Sequence, residues 1–429
     1  MRSLTRNSIA VGLDVGTSKV CGVAVKIGPS GAAILGTGVA ASTGLRKGMI
    51  INVDATVDSI RSAVRETESS SGTRIRAVSL GISGSHIQVH TSSGATGVRG
   101  KEVRNADIER ALDSAKAVYF PLDREVLHVI PEEYSLDGQD GIADPSGMVG
   151  VRLEARVRII TAGIAALRNL MNCCEKAGLE VTEVVFGPLA SAASSLRTDE
   201  RDYGVILVDI GGGTTDFALF REGSLRHAAV FGIGGQHVTQ DLAVGLKVGF
   251  SEAERIKRKW GKAFVAGSAD TEEIEITRSG GQVDKLPGTY VPEIIQPRCE
   301  EMLEMVRDEI RRCSGYDKAV CGVVLTGGSC LLPGFDRLSE AVLGLPVRIG
   351  VPLNVGGVKR AVESPVYSAC VGLATYGFEP DAAETVYADM MKNVFGRVRK
   401  WTKNILKYTD NLGTNNRKEG GMLCLKSKK

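Results

Sequence analysis

Hydrophobic positions along this chain fall first into two strand-turn-strand units of one design. SIAVGLDVG (8–16) is a β-rich run ending in Asp and Gly, and KVCGVAVKI (19–27) follows it after a tight Gly-Thr-Ser turn, which predicts a hairpin. VILVDIGGG (205–213) and TDFALF (215–220) repeat the plan. Asp14 and Asp209 each end an apolar strand, and Gly-Thr-Thr matches Gly-Thr-Ser. Self-similarity across 195 residues predicts two related lobes, each opening with a strand, a turn and a strand.

Between the two units the period alternates. RIRAVSLGIS (74–83) reads as a strand, and NADIERALDSAKAV (105–118) as a helix with apolar residues at 108, 111, 112, 115 and 118 behind a capping Asn105. RLEARVRIITA (152–162) alternates like a half-buried strand, and Ile164, Leu167, Met171 and Cys174 mark a helix that Gly178 ends. The piece 83–162, bounded by strand patterns and holding its own helix and the loop GQDGIADPSGM (138–148), reads as an inserted subdomain. Past the second hairpin come a strand (225–235), two short helices (237–246 and 251–261) and a polar, weakly patterned stretch (266–289). A helix follows at 292–313, with apolar positions 295, 299, 302, 303, 306 and 310, then a buried strand (319–328) and a helix (332–343). Alternating strands and helices predict the α/β class.

Composition agrees with a packed interior: 429 residues, 43% apolar and 24% charged, suit roughly two to four globular domains. Charge is uneven. Residues 390–429 hold eleven Lys/Arg against Asp410 and Glu419, so the +3 total hides an acidic body and a basic end. The body is therefore not a general nucleic-acid binder. Nine scattered cysteines, without a Cys-x-x-Cys or histidines at zinc spacing, read as small buried residues in a reducing cytoplasm. Asp14 interrupts the first apolar run too early for a signal peptide, and no stretch approaches the roughly 18 apolar residues of a spanning helix.

Glycine supplies the candidate chemistry. There is no G-x-x-x-x-G-K-[ST] motif, and GIGGQHVTQ lacks the dinucleotide-binding spacing. Instead, glycine turns recur at strand ends, at 16–18, 211–215, 234–235 and 327–328. Each can expose backbone N–H groups with no Cβ to keep an anion away, and the helices after 235 and 333 add N-terminal dipoles. One such turn is usually only a turn; four, with a repeated Asp, point to phosphate. Asp14 and Asp209 would repel a phosphate directly, which favours Mg2+ between them through water. Thr17, Ser18, Thr214 and Thr215 would donate hydroxyls, and Lys19 could reach the terminal phosphates. The five histidines lie apart in sequence and read as structural or exposed.

The set DVGTSK (14–19), DIGGGTTD (209–216), GIGG (232–235) and LTGGSCLLPG (325–334) resembles the phosphate-1, phosphate-2 and adenosine motifs of the actin, Hsp70 and sugar-kinase superfamily. Within it the chain resembles the FtsA family of bacterial cell-division proteins, on LHVIPEEYSLDGQDGIADPSGMVGVRLEARVRIITA (127–162), PVRIGVPLNVGG (346–357) and SPVYSACVGLATYG (364–377). The likeness covers about 8–378. It implies an actin-like two-lobed fold with an inserted subdomain 1C: subdomain 1A at 1–82 and 163–198, 1C at 83–162, 2A at 199–236 and 317–378, and 2B at 237–316. It also implies that Asp14, Gly16, Thr17, Ser18 and Lys19 line the phosphates of ATP with Gly211, Gly212, Gly213, Thr214 and Thr215. Gly234 and Gly235 would close the cradle, and Gly327, Gly328 and Ser329 would flank the adenine. Glu254 and Lys257 match the nucleotide-contacting Glu-x-x-Lys, although Ser251-x-x-Glu254 also reads as a capping box. For hydrolysis Asp209 is the candidate to orient water; no dedicated base is legible, so turnover is expected to be slow.

The basic end adds a surface. In 390–408, Val394, Val398, Trp401, Ile405 and Tyr408 recur at helical spacing with Phe395 beside them, and Lys392, Arg397, Arg399, Lys400, Lys403 and Lys407 take other positions. After an acidic, Ala-rich linker (379–389), this pattern describes an amphipathic helix lying on anionic lipid; docking on the body and an RNA-binding tail are the competing readings. The FtsA resemblance implies such a membrane-targeting helix, but 409–429 continues past it as a polar tail expected to be disordered. It further implies a tether at the division septum, on the inner face of the cytoplasmic membrane. Its partners would be the C-terminal peptide of FtsZ, received on 2B near Arg298, later division proteins through 1C, and further copies in filaments. Rival readings are a small-molecule kinase, with Asp209 near the acceptor, and an actin-like pilus-assembly adaptor.

Overall fold

In the computed structural model, residues 8–28, 31–264, 273–278, 280–313 and 317–377 are described; the linker, membrane-helix and tail expectations (379–429) lie outside them. In chain order the first lobe opens with β1 (Ser8–Val15), β2 (Lys19–Gly28) and β3 (Gly31–Ala41). A short ladder, β4 (Leu45–Arg46) with β5 (Met49–Ile50), precedes α1 (Val53–Ser71) and β6 (Ala77–Ile82). The insert holds β7 (Gln88–Gly97), α2 (Asn105–Lys116), β8 (Arg124–Leu136), β9 (Gln139–Ile142) and β10 (Arg152–Gly163). The first lobe resumes with α3 (Ile164–Lys176), β11 (Glu180–Phe186) and α4 (Gly187–Ser195), and α5 (Thr198–Tyr203) leads into the second lobe, where its Glu200 pairs with Arg348. The second lobe contains β12 (Val205–Ile210), β13 (Thr215–Arg221), β14 (Ser224–Phe231), α6 (Gly235–Leu246) and α7 (Phe250–Trp260). It continues with β15 (Glu273–Thr277), β16 (Val283–Pro287), α8 (Tyr290–Arg312), β17 (Val323–Thr326), α9 (Phe335–Leu343) and β18 (Val347–Ile349). Finally β19 (Val355–Gly357), α10 (Lys359–Val362) and α11 (Ser368–Thr375) return to the first lobe, β19 pairing with β3, so the second lobe ends before Val355 and not at 378 as expected.

The internal repeat is topological as well as textual. One sheet runs β11-β6-β1-β2-β3-β19 and the other β14-β13-β12-β17-β18. In both, the leading strand pairs antiparallel with the second and parallel with a later strand, β6 for β1 and β17 for β12. Each lobe is thus a hairpin extended by parallel crossovers, which sets the hairpin turn at the carboxyl edge where ligands of open α/β sheets bind.

Several elements differ from the hydrophobic pattern. β3 and α1 were not assigned from it. α1 is capped by the Asn52 side chain, which accepts from Ala55 N, and buries Val57, Ile60, Ala63 and Val64. It lies close on β3: a Cβ on Gly38 would come within 2.2 Å of the Ala63 carbonyl. Asn105 is not the cap of α2; Arg104 holds that position, and the Asp107 carboxylate accepts its N–H at 2.9 Å. The strand expected over 319–328 shortens to β17, because Gly322 turns the chain at φ +78°. The weakly patterned 266–289 stretch contains the β15–β16 hairpin, whose Ile274 and Ile276 reach the core.

The insert is a four-stranded sheet, β7-β10-β8-β9, with α2 on one face and its own core of Tyr134, Leu153 and Val157. Although its chain leaves and re-enters the first lobe, it is also fastened to the second. Glu132 on β8 pairs with Arg158 (3.0 Å) and with Arg226 of β14 (3.4 Å), and Ser224 Oγ donates to the Pro131 carbonyl (3.1 Å). Leu127, Ile130 and Ile160 of the insert share a core with Phe186 of the first lobe and Leu225 of the second.

Candidate functional site

The two hairpin turns face each other across a cleft of about 660 Å³. Both close with the same bond: Gly16 N–H donates to the Lys19 carbonyl (3.0 Å), and Gly211 N–H to that of Thr214 (2.9 Å). They interlock. A Cβ on Gly212 would meet Ser18 Oγ at 1.8 Å, and one on Gly213 would meet Thr17 Oγ1 at 2.5 Å, so the second turn is bare where the first brings side chains. Behind it, Gly235 N–H and Gln236 N–H donate to the Gly211 and Gly212 carbonyls (3.0 and 2.8 Å), and Ser329 Oγ donates to Gly211 (2.8 Å). The Gln236 amide also crosses to the Thr17 carbonyl at 3.4 Å. α6 therefore starts at the turn, with its first amides spent on the turn's carbonyls and its positive dipole end beside the cradle.

Of the residues expected from sequence, Asp14, Gly16, Thr17, Ser18, Lys19, Asp209, Gly211, Gly212, Gly213 and Thr214 line the cleft, with Gly235, Glu254, Lys257, Gly327, Gly328 and Ser329. Two expectations are corrected. Thr215 is fully buried and donates its hydroxyl to the Ile233 carbonyl (2.9 Å), so it fastens β13 and offers nothing to the cleft. Gly234 lies behind the turn, where a Cβ would strike the Gly211 carbonyl at 2.6 Å. The capping-box account of Glu254 also fails: α7 is capped by Gly249, and Ser251 lies within the helix. Glu254 instead accepts from Thr239 (2.6 Å) and pairs with Lys257 (2.7 Å), whose ammonium donates to the Gly235 carbonyl (3.0 Å). Burial pushes Glu254 up, but Lys257 and Thr239 outweigh it and hold the carboxyl below its ordinary range.

The floor is acidic. Burial raises Asp14 to about 6, with Lys19 opposing and Asp209 adding to the rise. Asp209 is raised by burial too, against the pull of Ser191, whose hydroxyl donates to it at 2.6 Å, and of Lys19. Both keep part of their surface open to the cleft, so here burial means depth rather than sealing. Asp216, opposite Asp209 in the β12–β13 ladder, was missed as a site residue; burial and Asp209 push it well above the usual range. Its Oδ1 is buried without a hydrogen-bond partner. The hairpin register could have found it, since Asp216 stands directly across from Asp209 in the ladder. Lys19 Nζ donates to the Val366 carbonyl (2.9 Å).

Among the described residues no group of three or more His, Cys, Asp or Glu is arranged to hold a metal ion directly. Asp14 and Asp209 reach the cleft with carboxyls that would hold a divalent cation through water, beside an anionic chain in the glycine cradle, and such a cation would offset the burial that disfavours their charged forms. Val238, Met302, Leu332 and Pro333 add apolar lining to the cleft. No described histidine lines the cleft: His237 accepts the Gly234 N–H behind the turn (3.2 Å), His128 Nε2 accepts the Phe186 N–H (3.0 Å), burial lowering its pKa to about 4, and His227 pairs with Glu309. Arg298 holds Asp241 through two bonds (2.6 and 3.0 Å) and also contacts Glu301.

Comparison with known proteins bears on this geometry. Residues 206–372 match the family model for cell division protein FtsA, and 84–161 match that for the SHS2 domain inserted in FtsA. The cell division protein FtsA of Pseudomonas aeruginosa is 41% identical over 382 residues, spanning 88% of this chain and 91% of that protein. In fold the chain is similar to a type IV pilus biogenesis complex, PilM-PilN (TM-score 0.63, 19% identity, 86% of this chain and 99% of that one). It is also similar to MreB5 of Spiroplasma citri bound to ADP (TM-score 0.51, 15% identity, 85% and 95%). The fold is actin-like, and the chain belongs to the FtsA family of cell division proteins.

Proposed function

We propose that the cleft binds ATP with Mg2+ and that the chain tethers FtsZ polymers to the inner face of the cytoplasmic membrane at the division septum. The observation that carries the nucleotide reading is the interlock of the two hairpin turns, whose bare glycines lie with the start of α6 along a cleft with an acidic floor. Mg2+ supplies charge neutralisation of the phosphates when bound. Asp14 and Asp209 hold its water shell, Lys19 leaves the Val366 carbonyl for the terminal phosphate, and Glu254 and Lys257 meet the sugar. Asp209, held by the Ser191 hydroxyl, orients the attacking water, and turnover is slow.

The tether rests on 390–408: Val394, Phe395, Val398, Trp401 and Ile405 enter the interface while Lys400 and Lys403 meet anionic headgroups. The acidic and apolar FtsZ peptide docks beside α8, where Arg298 exchanges Asp241 and Glu301 for the peptide's carboxylates. Copies associate as filaments, and the insert receives later division proteins. A small-molecule kinase has no use for a basic amphipathic segment, so that reading is set aside.

Co-sedimentation with anionic vesicles tests the tether. FtsZ should reach the vesicles only with this chain present, and Arg298→Glu should lower its recovery about tenfold. FtsZ recruitment undiminished by Trp401→Glu would sink the proposal.

A further inference from the structure

The most exposed large apolar side chains among the described residues are Leu122, at 91%, and Tyr119, at 83%. Both belong to the turn between α2 and β8, with Val118 exposed beside them (46%). The turn is a built feature. Phe120 packs inward on the insert's core and meets the His90 ring at a tilt (5.1 Å between centroids), and the Pro121 carbonyl accepts the Arg124 N–H (3.0 Å). One aromatic residue thus pins the turn while its neighbours on both sides face outward, and the exposed run Val118, Tyr119, Pro121 and Leu122 is uncharged up to Asp123, an exposed carboxylate that closes the turn. Such a patch marks an interaction surface.

Its place selects the occupant. Tyr376, the penultimate described residue, meets the ring of His128 edge-on at 6.5 Å. Six residues of extended chain separate His128 from Leu122, roughly 20 Å at about 3.3 Å per residue. The twelve residues 378–389 that follow span at most about 40 Å, so the basic segment 390–408 starts within reach of the plane this turn presents. Stable peripheral anchoring takes two signals, and tyrosine with an apolar neighbour suits the headgroup boundary. We infer that the 117–123 turn is a second membrane contact, entering the interfacial layer of a lipid surface beside the basic segment. This rests on the tether reading and adds to it a contact from the folded body.

The test uses the full chain with vesicles of phosphatidylglycerol and phosphatidylcholine. Tyr119→Ser/Leu122→Ser should lower vesicle partitioning about tenfold, with the thermal midpoint and nucleotide affinity unchanged, because these side chains bury almost nothing in the protein. In a chain with Trp260→Phe and Trp401→Phe, a Tyr119→Trp reporter should be quenched by brominated lipid. Unchanged partitioning with an unquenched reporter would overturn the inference, even where Trp401→Glu abolishes binding and the tether stands. Weaker partitioning of the loop variant with Trp401→Glu harmless would fail the tether and keep the loop contact. Loss of sedimentable polymer without vesicles, at unchanged partitioning, would assign the turn to contacts between copies and overturn the inference.

Discussion

The two hairpin turns share a backbone plan and divide the chemistry. The first brings Thr17, Ser18 and Lys19; the second brings three glycines whose missing Cβ atoms leave room for Ser18 and Thr17. Their aspartates differ as well: Asp209 is held by the Ser191 hydroxyl at 2.6 Å, whereas the rise of Asp14 is opposed chiefly by Lys19. Repetition therefore built two opposed half-sites, one supplying side chains and the other the space and amides to receive them.

The largest effect should come from filling that space. Gly212→Asp places a Cβ within 1.8 Å of Ser18 Oγ and a carboxylate in the cradle, so ATP affinity should fall by about 100-fold or more in calorimetry. Retained affinity in a folded variant would remove the cradle assignment. Next comes the charge on the first turn. Asp14 holds its proton up to about pH 6 when folded, against 3.8 free, so the folded state binds more protons and stability falls as pH rises between these values. Nucleotide-free protein in EDTA carrying Asp14→Asn should gain on the order of 2 kcal/mol over the parent at pH 8, allowing for its partial openness, and the gain should vanish towards pH 4. Melts showing a pH-independent difference would contradict the raised carboxyl. The smallest effect is on the second turn: Ser191→Ala removes one hydrogen bond to Asp209 and should cost about 1 kcal/mol in denaturant titration, with ATP affinity within about threefold. A larger affinity loss would make Ser191 part of nucleotide recognition.

Local chemistry made much of this legible. A strand ending in Asp-x-Gly, a short turn and a second strand are written in consecutive residues, so the half-sites and most cleft residues could be read from the chain. The failures share a cause. Thr214 and Thr215 are neighbours with the same hydroxyl, yet alternation sends the second to the Ile233 carbonyl. The Glu254 pairing was half visible, but whether the Glu caps a helix depended on where α7 begins, and it begins at Phe250. Arg298 could be named from sequence; its grip on Asp241, 57 residues away, could not.

By itself the sequence determined the α/β alternation, the internal repeat, the glycine turns and the basic end, because each depends on periodicity or on the φ/ψ freedom of a few adjacent residues. Tertiary structure alone decided that the turns interlock, that Asp216 is stranded beside Asp209, that the insert leaving the first lobe is bolted to the second by Glu132 and Arg226, and that Tyr119 and Leu122 face outward around an anchored Phe120. Those outcomes turn on contacts between residues far apart in the chain, and on burial, which shifts charges and strands polar atoms only once the sheets have packed.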